Sequence, residues 1–200
     1  VERAGQNAMM SGFHGLFSVG GLLGAIGVST LLSLGFSPFQ ASLAVVVLLM
    51  LSAFLALPGL LTGRTHSESG PAFAFPHGIV LIIGVMCFIV FLAEGAAIDW
   101  SAGFLTTVRH VDMRSTGLGY VAFASTMTIG RLLGDRLVGH VSGRVLVTGG
   151  SLLAALGMLL VTIIPVWQMT LLGYALVGAG CANVVPVLYS AVGRQTFMPE

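Results

Sequence analysis

Residues 79–105 read IVLIIGVMCFIVFLAEGAAIDWSAGFL, and this stretch decides the class of fold. A helix needs about 20 residues to cross about 30 Å of membrane hydrocarbon. The stretch is longer than that and contains only two charged residues, Glu94 and Asp99. It therefore predicts a membrane-spanning helix that carries two carboxylates, whose presence among apolar residues needs an explanation.

The composition of the whole chain is typical of a membrane protein. Of its 200 residues, 56% are hydrophobic and 8% are charged, whereas about a quarter of the residues in a soluble domain are charged. The mean hydropathy is +1.01. The eight basic residues are all Arg and give a net charge of only +1. They form no cluster of the kind that neutralises phosphates, so no nucleic-acid partner is expected.

Charge-free stretches predict six membrane-spanning helices and an all-α transmembrane fold. Continuous apolar runs of about 20 residues favour helices, because membrane strands are shorter and alternate in polarity. Gly35 and Pro38 supply turn chemistry between the first two helices, and Pro165 supplies it between the last two. The expected spans lie near residues 10–33, 40–61, 77–108, 117–136, 145–164 and 168–192.

The arginines predict the orientation of these helices, because cytoplasmic loops carry an excess of basic residues. With six crossings, Arg109 and Arg114 lie on one face of the membrane. The other face collects Arg3, Arg64, Arg136, Arg144 and Arg194, with Arg131 near it. We therefore expect a multi-pass plasma-membrane protein with both chain ends, the connector at 62–76 and the loop at 137–143 in the cytoplasm.

Glu94 is the first candidate functional residue. Counting from Ile79 at 1.5 Å per residue places it about 23 Å along the helix, well inside the hydrocarbon. A carboxylate at this depth costs several kcal/mol unless it is neutral, paired or hydrated. Glu94 is therefore a candidate for handling a proton or a solute. The alternative is a protonated Glu that donates a hydrogen bond to a neighbouring helix.

Asp99 and Ser101 lie further along the same helix, on different faces. Asp99 is about 140° around the helix from Glu94, so the two carboxylates do not form an acid/base pair. Asp99 is either part of an outer gate or a plain interfacial residue, within reach of Arg109 or Arg114. Ser101 lies seven residues after Glu94 and returns to the Glu94 face.

Two other spans contain polar candidates. His14 shares a helix face with Ser18, and this face is either a cavity wall or a place where His14 is hydrogen-bonded within the bundle. Asn183 either contacts a solute or holds two helices together. Pro186 cannot donate a hydrogen bond to the carbonyl of Ala182, so a helix bend is predicted there.

Residues 130–144, GRLLGDRLVGHVSGR, resemble the loop signature of the major facilitator superfamily, in which a Gly precedes an Asp-Arg pair and further basic residues. The phrases MSGFHGLFSVGGLLGA, AEGAAIDWSA and GCANVVPVLYSAVGRQ are similar to the branch with MosC-like and YbjJ-like membrane proteins. The resemblance covers nearly the whole chain. It implies a piece of a longer protein that corresponds to helices five to ten of a twelve-helix transporter.

The resemblance also implies a domain organisation. Residues 1–61 would hold the last two helices of an N-terminal half, 62–76 the central cytoplasmic linker, and 77–200 the first four helices of a C-terminal half. It further implies that Arg131, Asp135 and Arg136 form a cytoplasmic latch, which ion pairing closes and alternating access releases. The alternative is a helix-end charge cluster that only sets the topology.

The function favoured by these features is secondary active transport of a small solute across the inner membrane by alternating access, with proton coupling through Glu94 as a further hypothesis. The alternative is a non-transporting membrane receptor or assembly subunit. The sequence contains no HExxH or GxSxG motif that would indicate an enzyme. Cys87 and Cys181 match no metal spacing, and no metal or cofactor is expected. The expected partners are the solute, protons, the lipid bilayer and the remaining helices of a longer chain.

Overall fold

A computed structural model describes residues 10–59, 78–112 and 115–193 of the protein. These residues form helices and turns, and no β-strand occurs among them. The predicted all-α class is therefore confirmed. The helices are α1 (Met10–Ser33), α2 (Pro38–Ala56), a 3-10 helix (Leu57–Gly59), α3 (Ile79–Thr107), α4 (Leu118–His140), α5 (Gly143–Ile163), α6 (Trp167–Cys181) and α7 (Val184–Val192).

Among the described residues, five helical segments are long and apolar enough to cross a membrane. They are Gly12–Ser33, Pro38–Gly59, Ile79–Thr107, Gly143–Ile163 and Trp167–Val192. The predicted span near 117–136 corresponds to α4, whose 23 residues reach about 34 Å. This helix is less apolar than the other five because it contains Arg131, Asp135 and Arg136. Length therefore supports the predicted span near 117–136, whereas hydropathy does not.

The turn between α1 and α2 follows the predicted local chemistry. Gly35 adopts a positive φ of 89°, which glycine tolerates because it has no Cβ. The Ser37 hydroxyl then accepts a hydrogen bond from the Gln40 backbone N–H at 3.3 Å, and the Gln40 side chain accepts one from the Ser37 N–H at 2.9 Å. With Pro38 in the first turn, this reciprocal cap fixes the start of α2.

Contacts divide the described chain into two compact units. The larger unit contains α1 through Ser18 and the described residues from Gly78 onward. The smaller unit runs from Val19 to Gly59, and its helix α2 has one buried residue, Ala41. The predicted linker at 62–76 lies outside the described residues, as do Arg3, Arg64, Arg114 and Arg194.

Helix α6 is the centre of the larger unit and packs against both α4 and α5. Glycine pairs permit the contact with α5. A Cβ built on Gly150 would lie 2.5 Å from the carbonyl oxygen of Gly180, and one on Gly157 would lie 2.5 Å from that of Gly173. The high glycine content therefore serves close helix packing here, as it often does in membranes. The glycines of the second half of α1 meet no described atom within 4 Å.

Candidate functional site

Glu94 lies on the buried face of α3 and is only 8% exposed. The other buried residues of this helix are Ile83, Cys87, Ala97, Ser101 and Leu105. Because these neighbours are almost all apolar, they cannot stabilise a carboxylate. The partner of Glu94 must therefore come from another helix.

That partner is Arg131 of α4, which is 6% exposed. Its Nη2 donates to both carboxylate oxygens of Glu94, at 3.3 Å to Oε1 and 3.1 Å to Oε2. Glu94 lies 13 residues before Thr107, and Arg131 lies 13 residues after Leu118. Each residue is therefore about 20 Å from the connection that joins the two helices. This matching depth brings the two charges together.

Ser18 of α1 is the third member of the site. Its hydroxyl accepts a hydrogen bond from Nη1 of Arg131 at 2.9 Å and donates one to the carbonyl of His14 at 3.1 Å. The guanidinium thus joins α4 to α3 through an ion pair and to α1 through a hydroxyl. We call Glu94, Arg131 and Ser18 the charge site.

One guanidinium nitrogen of the charge site makes no hydrogen bond to the described residues. Nε of Arg131 is buried and has no hydrogen-bond partner among the described residues. The reason is that a single nitrogen, Nη2, contacts both oxygens of Glu94. A guanidinium more often holds a carboxylate with two nitrogens in a fork. The observed pair therefore leaves part of the Arg131 fork available.

Asp135 lies one turn beyond Arg131 and contacts the start of α1. Its Oδ2 accepts a hydrogen bond from the backbone N–H of Gly12 at 3.0 Å. The first N–H groups of a helix have no partner within the helix, and a carboxylate is favourable there. A Cβ on Gly12 would lie 2.8 Å from this oxygen, so a larger residue here would force the Asp135 side chain to shift.

The predicted latch residues thus have different surroundings. Arg131 pairs with Glu94, Asp135 bonds to the backbone of α1, and the Arg136 side chain is exposed. Helix α4 also continues to His140, beyond the predicted end at 136 and into the predicted loop at 137–143. Arg131 therefore lies about 14 Å before the end of the helix, deeper than the sequence suggested.

Asn183 occupies an interruption between α6 and α7. The helix is broken at Ala182 and Asn183, and Pro186 lies in the first turn of α7, where its missing N–H is tolerated. Nδ2 of Asn183 donates to the carbonyl of Gly130 at 2.8 Å, whereas its buried Oδ1 has no partner among the described residues. Asn183 therefore holds the interruption against α4, next to Arg131.

The remaining candidates are Ser101, Asp99 and His14. Ser101 is fully buried on the Glu94 face, but two turns further along α3 at the crossing with Gly119. Asp99 is exposed beside Trp100, which is 73% exposed. His14 is half-buried, and its ring centroid is 6.0 Å from that of Tyr189.

Arg109 has a role that the sequence did not suggest. Its Nε donates to the Thr170 hydroxyl at 3.1 Å, and its Nη2 donates to the carbonyl of Val161 at 2.7 Å. Its guanidinium also lies 5.0 Å from the centre of the Phe104 ring. Arg109 therefore caps the last carbonyls of α5 and fastens them to α6, instead of contacting Asp99.

Within the described residues, no three His, Cys, Asp or Glu side chains are grouped so that they could hold a metal ion. Cys87 and Cys181 are both buried and carry free thiols. The charge site is thus built from one carboxylate, one guanidinium and one hydroxyl. Such a set can bind and release a proton at the carboxylate, and it can bind an anion at the guanidinium.

Comparison with known proteins gives three informative relatives. An uncharacterized MFS-type transporter of Yersinia pestis is 49% identical over 199 residues, which covers the whole of this chain and 52% of the relative. An uncharacterized transporter, y4wD, of Sinorhizobium fredii is 29% identical over 201 residues, covering the whole chain and 53% of the relative. The membrane protein MosC of Rhizobium meliloti is 31% identical over 192 residues, covering 95% of this chain and 46% of MosC.

No protein-family model matches the chain, and no solved structure matches it. The chain spans about half the length of the curated relatives it matches. These relatives confirm the resemblance to the major facilitator superfamily and to its MosC-like branch, which residues 130–144 and three further phrases of the sequence indicate. The chain is therefore similar over its whole length to an MFS-type transporter and spans about half of that relative.

Proposed function

We propose that the protein containing this chain is a secondary active transporter of a small solute, which works by alternating access across the inner membrane. The names of two relatives support the transporter role. The observation that carries the proposal is the charge site, a buried ion pair between α3 and α4 that also contacts α1. Polar groups at such depth mark solute and proton pathways in membrane proteins.

The proposed domain organisation gives the charge site a place in the transport cycle. If residues 1–61 end an N-terminal half and residues 77–200 begin a C-terminal half, then α1 and α4 belong to different halves. The contacts of Ser18 with Arg131 and of Gly12 with Asp135 then join the two halves on one side of the membrane. Alternating access would break these contacts, so they form the latch, with the α1 backbone as the partner of Asp135.

Glu94 is the proposed proton-binding residue because it is the member of the ion pair that can become neutral. A guanidinium stays protonated in proteins, whereas a carboxylate can take up a proton. Protonation of Glu94 would remove the ion pair with Arg131 and leave the guanidinium without its counter-charge. Proton uptake would therefore weaken the contact between α3 and α4 and favour the other access state.

The test is proton flux in proteoliposomes that contain the full-length protein. A solute found by melting-temperature shifts against sugars, amino acids and drugs would be added outside, and a trapped pH-sensitive dye would report the proton movement. We expect the solute to drive proton entry in the wild type, and Glu94→Gln to abolish this flux while solute exchange continues. Arg144→Gln, which changes an exposed arginine, is the matched control.

Two results would contradict the proposal. Solute-driven proton entry that is unchanged in Glu94→Gln would exclude Glu94 as the proton carrier. Solute binding without any counterflow exchange would exclude transport and favour a receptor instead.

A further inference from the structure

We propose that the transported solute carries an anionic group, best matched by a carboxylate, and that Arg131 binds this group in place of Glu94. This inference rests on the proposed transport function and names the substrate class of the same site. It assigns Arg131 the role of solute-binding residue, with Glu94 as the group that it exchanges for the solute. The two partners in this buried ion pair differ in chemistry, because Glu94 can become neutral and Arg131 cannot.

Charge balance supports an anion. Only 6% of the surface of Arg131 is exposed. A buried charge that is left without a partner is strongly destabilising. Glu94 can avoid that cost by taking up a proton, whereas Arg131 cannot lose one. When Glu94 is neutral, Arg131 therefore needs another anion. A cationic solute would bind Glu94 and leave Arg131 unpaired, and a neutral solute would compensate neither charge.

The geometry of the donors also supports an anion. Nε of Arg131 is buried without a partner among the described residues, while Nη2 alone contacts both oxygens of Glu94. A carboxylate across Nε and Nη2 would receive two parallel hydrogen bonds, the arrangement in which arginine binds planar anions best. The hydrogen bond from Nη1 to Ser18 could persist, because it uses the opposite side of the guanidinium. The present pair is thus a weaker fit to Arg131 than a free carboxylate would be.

Among the described residues, few other charged or titratable groups lie near Glu94. From α4 it meets Arg131, and Asp135 lies one turn beyond and bonds to Gly12. From α6, the Cys181 thiol lies within electrostatic reach of both Glu94 and Arg131. From α1, His14 lies one turn before Ser18. Because Arg131 is the only arginine among these groups, the anion has one permanent cation to bind.

The experiment measures binding of small carboxylates to the purified full-length protein. Acetate, propionate and benzoate are the probes, and acetamide, propionamide and benzamide are the neutral controls of the same shape. Melting temperatures give apparent Kd values for the wild type, Glu94→Gln, Glu94→Ala and Arg131→Gln. The Ala variant leaves room beside Arg131 that acetate or propionate can occupy. Arg144→Gln again serves as the matched arginine control.

We expect the two Glu94 variants to bind at least one carboxylate about tenfold or more tightly than the wild type at neutral pH, because Arg131 then has no built-in counter-charge. The amides should have no such effect, and Arg131→Gln should abolish carboxylate binding. In the wild type, binding should be accompanied by uptake of about one proton per carboxylate, because Glu94 is neutralised when the anion replaces it. This second measurement needs no variant to fold.

Several results would overturn the inference. They are equal stabilisation of the Glu94 variants by amides, carboxylate binding that persists in Arg131→Gln, and no carboxylate effect on either Glu94 variant. The outcome is separable from that of the transport proposal. Carboxylate binding without any transport would support Arg131 as an anion site and contradict the transport proposal. Proton-driven uptake restricted to neutral or cationic solutes would support the transport proposal and contradict the anion site.

Discussion

At the residue scale, Ser18 shows how a small side chain can determine the geometry of a buried charge. Its hydroxyl connects Arg131 to the backbone of α1. Most other helical Ser and Thr hydroxyls described here bond only to their own helix, as Ser52 does with the carbonyl of Leu48 at 2.7 Å. Ser18 therefore adds a contact between helices where Ser52 adds none.

We predict that Ser18→Ala destabilises the protein by about 1.5 kcal/mol, the lower end for a hydrogen bond to a charged group, because Ser18 is only half-buried. The melting temperature of the purified full-length protein should fall by a few degrees. Ser52→Ala is the matched control and should melt like the wild type. Equal melting of the two variants would contradict the role assigned to Ser18.

The sequence identified one member of the charge site and missed the connections between its members. Glu94 was conspicuous because a carboxylate in an apolar helix is costly. The sequence predicts that α4 ends at 136, which places Arg131 near the membrane surface, whereas the helix ends at His140. Ser18 was seen only as part of a polar face, since a helical serine usually satisfies itself locally. Pairings between distant helices depend on tertiary packing, which local patterns do not specify.

At the element scale, the contact between α5 and α6 depends on individual glycines. Gly149 and Gly150 are adjacent in α5, but their surroundings differ. A Cβ on Gly149 would meet no described atom within 4 Å, whereas one on Gly150 would lie 2.5 Å from the carbonyl oxygen of Gly180. A substitution at Gly149 therefore tests helix propensity alone, whereas the same substitution at Gly150 also tests the packing of α5 against α6.

We predict that Gly150→Ala costs about 1–3 kcal/mol, because the added methyl group forces the two helices apart. Gly149→Ala should be neutral or stabilising, since Ala favours a helix over Gly by up to about 1 kcal/mol. Melting temperature and the yield of monodisperse protein measure both variants. Equal stability of the two variants would contradict the close packing of Gly150 against α6.

Helix positions were largely predictable from the sequence, because apolar length and turn residues specify them locally. The predicted spans near 10–33 and 145–164 differ from α1 and α5 by no more than two residues at either end. The last span was expected to bend at Pro186, and the structure places the interruption at Ala182 and Asn183. Packing against α4 holds this interruption, through the hydrogen bond from Asn183 to Gly130. A contact of this kind cannot be read from one helix alone.

At the scale of the whole molecule, α4 is the element whose place in the membrane needs a test. It is long enough to span, yet its charges lower its apolarity below that of the other helices. The structure offers a physical reason for it to span nevertheless. Arg131 is neutralised by Glu94 inside the bundle, and Asp135 is stabilised at the start of α1, so neither charge faces lipid alone.

We predict that the two ends of α4 lie on opposite sides of the membrane, with the end near Arg136 and Arg144 in the cytoplasm. Val108→Cys, before α4, should react in intact cells with a maleimide that cannot cross membranes, because residue 108 is exposed. Ser142→Cys, after α4, should react only once the membrane is permeabilised. The unmodified protein is the control, since Cys87 and Cys181 are both buried. Labelling of both positions from outside would show that α4 does not span, and the reverse pattern would show that the arginine-rich face is external.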